Sequence, residues 1–325
     1  MIKLSIIISN RNDLVMLNIT LNSAIEACKS LPPGCNSEIV LVDNSDENCR
    51  SLMGVVIPSG FQRKNNVRVF YQDTPCFTSA RMLAAEKARG EYILCVDSHV
   101  LFGHSLLKNS VDFMDRHAQD DNLGFGHPPI RWAHQGPAGI KHTLKISPNG
   151  TPNGGWDRAY TSECPMYWKF MPWICKREWF LETLKGYGTH ATAQLSWGGA
   201  ELLMQMKSLM LGYTNWSIIS DPLIHIGPYT PEVIKTGQYR YRTYAASGNY
   251  PHGFGILVAY YILGGDVDGY RHAKLGEEQF FNRHKINVDQ YWEKAKEVGK
   301  AEHHWLMENK KIDYLELLAN RPWES

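Results

Sequence analysis

A chain of 325 residues, 43% hydrophobic and 21% charged, has the composition of a globular protein and can bury one large core or two modest ones. A formal net charge of +1 supplies no overall field toward nucleic acid or an acidic partner, so any such recognition has to come from local patches. Seven cysteines without a C-x-x-C pair read as reduced thiols of a cytosolic protein rather than a disulfide framework.

The start, "MIKLSIIISNRND", makes a poor signal peptide, because its apolar run is short and meets a charged turn within a few residues. No apolar stretch approaches bilayer length, and a cytoplasmic location (a host cytoplasm, if the source is viral) with no membrane partner is expected. The sequons at Asn18 and Asn215 are then chance.

"LSIIIS" (4–9) is a continuous apolar run, the mark of a strand buried on both faces. A helical stripe of Leu14, Leu17, Leu21 and Ile25 follows over 13–30, with Asp13 in the N-cap position. "EIVLVDNSD" is a second buried strand ending in Asp43, and "VRVFY" a third. "FTSARMLAAEKARGEYILCVDSH" is a helix, with Gly90 as its C′ residue, and then a fourth strand ending in Asp97. Such β-α-β units give a mostly parallel sheet with ligands at the carboxyl ends of its strands. Residues 104–118 continue as an amphipathic helix, and 127–160 is rich in Gly, Pro, Asn and Trp and reads as irregular. Beyond it, "REWFLETLKGYG" is a helix closed by glycine, and "WGGAELLMQMKSLMLGY" a glycine turn with a helix starting near Glu201. "TNWSIISDPLIHIG" is strand-like to His225, and helices run from about 256 onward. The expected division is an α/β catalytic domain over 1–227 and an acceptor-side loop with helices over 228–325.

Asp97 and His99 alternate along a strand end, so both side chains face one side, where carboxylate oxygen and imidazole nitrogen share a divalent cation. The bland alternative is an Asp capping the next turn beside an incidental histidine. Its place at the end of a buried parallel strand favours the metal. His225, closing an apolar run before Gly-Pro, is the expected third ligand, with His104, His127 and His134 as other options among 13 histidines. Asp43 either accepts hydrogen bonds from a base or ribose or makes an Asx-turn. No G-x-G-x-x-G follows the first strand and no P-loop lysine motif occurs, which argues against NAD and P-loop NTPase chemistry.

Taken in order, "SIIISNRND", "EIVLVDNSD", "SARMLAAEKARGEYILCVDSH" and "WGGAELLMQMKSLMLGY" resemble the GT-A-fold glycosyltransferases over roughly residues 3–227. That fold is Rossmann-like: a mixed, mostly parallel sheet flanked by helices. Asp97-Ser98-His99, Gly154-Gly155-Trp156, Trp197-Gly198-Gly199 and His225 resemble, piece by piece, the polypeptide N-acetylgalactosaminyltransferases. The glutamate of that family's W-G-G-E-N falls on Ala200, with Glu201 one place later, a register closer to inverting family-two enzymes, so the stereochemical outcome stays open. The chain shows no anchor and no lectin domain, so a Golgi enzyme acting on secreted proteins is not expected. It also resembles the phage TET-associated glycosyltransferases, which modify 5-hydroxymethylcytosine in DNA.

These resemblances imply a nucleotide-sugar donor, UDP-linked, with Mn2+ (or Mg2+) on Asp97, His99 and His225. They imply donor contacts from Ser9, Asn10, Asp43, Arg81, Ser98, Gly155, Trp156, Trp197, Gly198 and Gly199. Arg81 otherwise makes a surface salt bridge. Glu201 is the general base if the reaction inverts and positions substrate if it retains. Basic and aromatic residues alternate after His225: Lys235, Tyr239, Arg240, Tyr241 and Arg242. With Trp132, they suit a DNA acceptor carrying a hydroxymethylated base. Polysaccharide or protein acceptors, a nucleotidyltransferase, a metal hydrolase and a non-catalytic sugar-binding module are the competing classes.

Overall fold

The structure is a computed structural model that describes residues 1–74, 76–133, 140–146, 152–158, 162–166, 171–188, 199–226, 254–276 and 286–320. β1 (Leu4–Asn10) is flanked by β2 (Ser37–Asp43) and β4 (Tyr92–Asp97), both parallel to it, and β3 (Val67–Tyr71) adds beside β2. Ile6, Ile7 and Ile8 are fully buried, as a strand covered on both faces requires. The covering helices are α1 (Leu14–Cys28), α2 (Glu47–Val56), α3 (Ser59–Lys64) and α4 (Phe77–Lys87). In α1, Leu17, Thr20, Leu21 and Ala24 form the inward stripe that the 3.6-residue period dictates.

After β5 (Val100–Leu101) and α5 (Leu106–Arg116), the chain builds β6 (Leu123–His127), β7 (Ile130–Trp132), β8 (Ile140–Ile146), β9 (Pro152–Arg158), β10 (Pro165–Met166) and β11 (Trp173–Lys176). A π-helical turn (Trp179–Thr183) precedes α6 (Ala200–Met210), β12 (Thr214–Ser217) and β13 (Leu223–His225). The first sheet has eight strands, ordered β10-β12-β6-β11-β4-β1-β2-β3, and a second has five, ordered β5-β13-β7-β8-β9. The mixed, mostly parallel α/β architecture expected from the sequence is the one observed.

Three local expectations are corrected. The stretch 127–160 is not uniformly irregular, because β8 and β9 form an antiparallel hairpin within it. "TNWSIISDPLIHIG" is two strands in two different sheets, broken at residues 218–222. Gly90 does not form a left-handed cap: α4 ends at Ala88 in an extended conformation. A Cβ on Gly90 would stand 2.6 Å from the Ser5 nitrogen, so glycine is required by the close passage of β1.

Every residue of α6 is buried. One side packs on the first sheet, and the other is covered by α7 (Phe254–Gly264) and the last helix of the chain, α10 (Tyr314–Asn320), while α8 (Tyr270–Gly276) and α9 (Val288–Asn309) pack around α7. The helical carboxy-terminal part meets α6 through an ion pair, Lys207 Nζ to Glu302 Oε1 at 2.6 Å, with side chains 0% and 2% exposed. No described helix is long and apolar enough to cross a membrane.

Candidate active site

β4 ends at Asp97, and two residues later the chain enters the second sheet at Val100. The Asp97-Ser98-His99 corner therefore sits where the two sheets meet. Thr20 of α1 fixes its backbone: the hydroxyl accepts the Val100 N–H at 2.8 Å and lies 3.0 Å from the carbonyls of Ser98 and Val100. β13 pairs with β5 on one side and β7 on the other, bringing His225 opposite Val100 and Trp132. The Ile226 N–H then donates to the His99 carbonyl at 2.9 Å.

Three ligand atoms converge as a result. His99 Nε2 and His225 Nε2 are 3.1 Å apart, and Asp97 Oδ2 lies 3.8 Å from the first and 3.6 Å from the second. Among the described residues this is the one group of His, Cys, Asp and Glu arranged to hold a metal ion. The other Asp97 oxygen, Oδ1, accepts from Arg81 Nη2 at 2.9 Å, while Arg81 Nη1 donates to Glu201 Oε1 at 2.9 Å. Arg81 is buried, on α4, so its guanidinium joins the strand-end acid to the first turn of α6. Burial alone pushes the Asp97 carboxyl up, but the contact with His225 and the charges of His99 and Arg81 outweigh it and hold it well below the usual carboxylate range. Asp97 is thus an anion ready for a cation.

Residues 5–129 match the family model described as Glycosyl transferase family 2. That stretch, less than half of the chain, is similar to glycosyltransferase family 2 domains. No curated protein matches the sequence. The chain is similar in fold to GalNAc-T7 solved with UDP, GalNAc and Mn2+, at 18% identity and a TM-score of 0.62 over 99% of this chain. It spans 58% of the GalNAc-T7 chain. S. aureus TarS 1-349 in complex with UDP-GlcNAc is similar at 14% identity and a TM-score of 0.54, covering 99% of this chain and 92% of that one. At these identities the likeness is one of GT-A fold.

The matched stretch contributes Asp43, Arg81, Asp97 and His99 to the cluster region, whereas Glu201 and His225 lie beyond residue 129. Asp43 is fully buried at the end of β2, with Oδ1 accepting from Asn10 Nδ2 (2.8 Å) and Ser45 Oγ (2.6 Å). Asp43 Oδ2, Asn10 Oδ1 and Asn44 Nδ2 are buried without a hydrogen-bond partner, three orphaned polar atoms at adjacent strand ends. Ser9 stands next to Asp97 in the β1–β4 register, and Ser98 is buried beside it. Gly155 and Trp156 lie in β9, in the same sheet as His225.

Gly199, φ +84°, precedes α6, and a Cβ there would meet the Gly255 carbonyl oxygen at 2.5 Å; the close approach is to α7. Trp132 stacks obliquely on His225, ring centroids 4.1 Å apart, and so walls the Asp97–His99–His225 cluster. His127 is a core histidine, Nε2 3.0 Å from Gln205 Oε1, and His104 is exposed. Trp197, Gly198, Lys235, Tyr239, Arg240, Tyr241, Arg242 and His134 lie outside the described residues. Thr20 was not singled out from the sequence, and no local motif marks it, because its partners are 78 and 80 residues away.

The donor set fits a divalent cation. Two nitrogens at right angles, each about 2.1 Å from a common ion, stand about 3.0 Å apart, close to the observed 3.1 Å. Two imidazoles and one carboxylate leave positions open for oxygen ligands, an arrangement that suits a hard or borderline metal.

Proposed function

We propose that the protein transfers a sugar from a nucleoside-diphosphate donor, UDP-linked, to a hydroxyl acceptor, with Mn2+ or Mg2+ held by Asp97, His99 and His225. The convergence of those three side chains at the carboxyl end of β4, in a chain whose residues 5–129 match the glycosyltransferase family 2 model, carries the reading. A divalent cation bound there supplies positive charge to the departing diphosphate. The chain's own residues prepare the site. Arg81 engages Asp97 Oδ1 and so leaves Oδ2 turned toward the two histidines. Through its second nitrogen Arg81 also sets Glu201 at the edge of the same site, where Glu201 takes the acceptor hydroxyl's proton in an inverting transfer or positions the acceptor in a retaining one. The unpartnered atoms of Asn10, Asp43 and Asn44 offer hydrogen bonds to the donor's base or ribose.

The acceptor is a hydroxyl; hydroxymethylated DNA is supported only by the basic-aromatic sequence at 235–242. The test is a nucleotide-sugar panel with Mn2+, offered hydroxymethylated DNA, a glycan and a peptide pool, with analysis of product configuration. Transfer that requires metal and disappears in Asp97→Ala is expected. Full activity in Asp97→Ala, or in excess chelator, overturns the metal reading. Transfer to glycan or peptide but not to DNA removes the DNA acceptor.

A further inference from the structure

Asp13 occupies the N-cap position of α1, yet its side chain makes no capping hydrogen bond. Its carboxylate points elsewhere: Oδ2 lies 3.8 Å from His99 Nδ1. That nitrogen is on the far side of the imidazole from the cluster, since Nε2 is the atom that faces His225 and Asp97. Asp13 therefore stands behind a ligand and not among the ligands.

The loop that delivers Asp13 is held in place by many contacts. Asn12 has φ +54°, in the left-handed region that asparagine tolerates better than most residues. It is fixed there by its N–H donating to Ser45 Oγ at 2.8 Å, its Nδ2 donating to Asp46 Oδ2 at 2.7 Å, and its Oδ1 accepting the Asp46 N–H at 2.9 Å. Arg11 adds bonds to the Asn44 carbonyl and to Asp46 Oδ1. The turn after β1 is thus bolted to the turn after β2, and the left-handed residue redirects the chain so that Asp13 faces His99.

Resting on the reading of Asp97, His99 and His225 as a cation site, we propose that Asp13 is a positioning residue for it. At 3.8 Å the Asp13 carboxylate acts through its charge, which favours the His99 tautomer with the proton on Nδ1 and the Nε2 lone pair free for the ion. The Ser98 hydroxyl, 3.5 Å from the same nitrogen, can donate or accept and imposes neither tautomer. The carboxylate also raises the basicity of the imidazole as a ligand.

Titration of the full chain with MnCl2 by calorimetry, without donor or acceptor, tests this, together with nitrogen-15 NMR of the His99 ring in the metal-free protein. Asp13→Ala weakens Mn2+ binding by about 10- to 100-fold and shifts His99 away from the Nδ1–H form. Asp13→Asn, which keeps the shape of the side chain but not its charge, loses as much in both. Melting temperatures in the absence of metal show whether either variant is destabilised; if Asp13→Ala is misfolded, Asp13→Asn carries the test. Wild-type Mn2+ affinity and an unchanged tautomer in folded Asp13→Ala overturn the inference while leaving the cation site standing. If the wild-type chain binds no Mn2+, and Asp97→Ala behaves identically, the cation reading itself fails and the inference falls with it.

Discussion

Arg81 is the residue through which the two acids of the site are kept apart and aligned, since each gives one oxygen to it at 2.9 Å. Without that charge, Asp97 and Glu201 would confront each other in a buried setting, which is costly for carboxylates. The same geometry allows a clean test of Glu201. Glu201→Gln keeps a carbonyl oxygen for Arg81 Nη1 and so preserves the alignment, but it cannot take a proton. If Glu201 is the base, kcat falls by about 10²- to 10⁴-fold while donor KM stays near the wild-type value. A change in KM with kcat preserved assigns Glu201 to substrate positioning instead. Steady-state kinetics with saturating metal separates the two.

Among the elements, α6 has a double anchorage. Its first residue follows Gly199, whose missing side chain lets α7 pass at backbone distance, and its last turn carries Lys207, paired with Glu302 of α9. Burial drives the Lys207 ammonium toward neutrality, and Glu302 opposes that by its charge and hydrogen bond without fully cancelling it. Breaking such a pair on one side is worse than removing it altogether. Glu302→Ala is expected to cost about 3–5 kcal/mol of stability, whereas Lys207→Met with Glu302→Leu costs far less; urea unfolding of the variants distinguishes them. Elements of this kind also explain what was legible beforehand. β1, β2 and β4 announce themselves as apolar runs, and Asp43 and Asp97 are visible as acids closing them. The β8–β9 hairpin was hidden because glycine, proline and asparagine dominate its surroundings, which hold little alternation to read. Arg81 could be located near the pocket, but its bond to Glu201 spans 120 residues and leaves no local pattern. Asp13 resembled a cap because its position is right for one, and only its side-chain direction says otherwise.

For the molecule as a whole, acid stability is set in part at the end of the sheet opposite the site. Glu38, the second residue of β2, is buried and accepts from Arg89, Ser5 and Arg68. Burial pushes its carboxyl up, but these donors prevail and hold it below the ordinary value. A carboxyl lowered in the folded state contributes stability that is complete above its unfolded pKa, about 4.3, and is lost as pH falls through the folded value. The urea midpoint of the wild-type chain should therefore drop on acidification below that value, and more steeply than in Glu38→Gln. At the other end, the corner between β4 and β5 has a mechanical meaning. Asp97 belongs to the eight-stranded sheet, His225 to the five-stranded one, and His99 to the two-residue joint between them. A cation gripped by all three is a rivet through both plates. Loading the wild-type chain with Mn2+ should raise its Tm in proportion to the logarithm of the metal concentration, and Asp97→Ala or His225→Ala should melt at the same temperature with or without the ion.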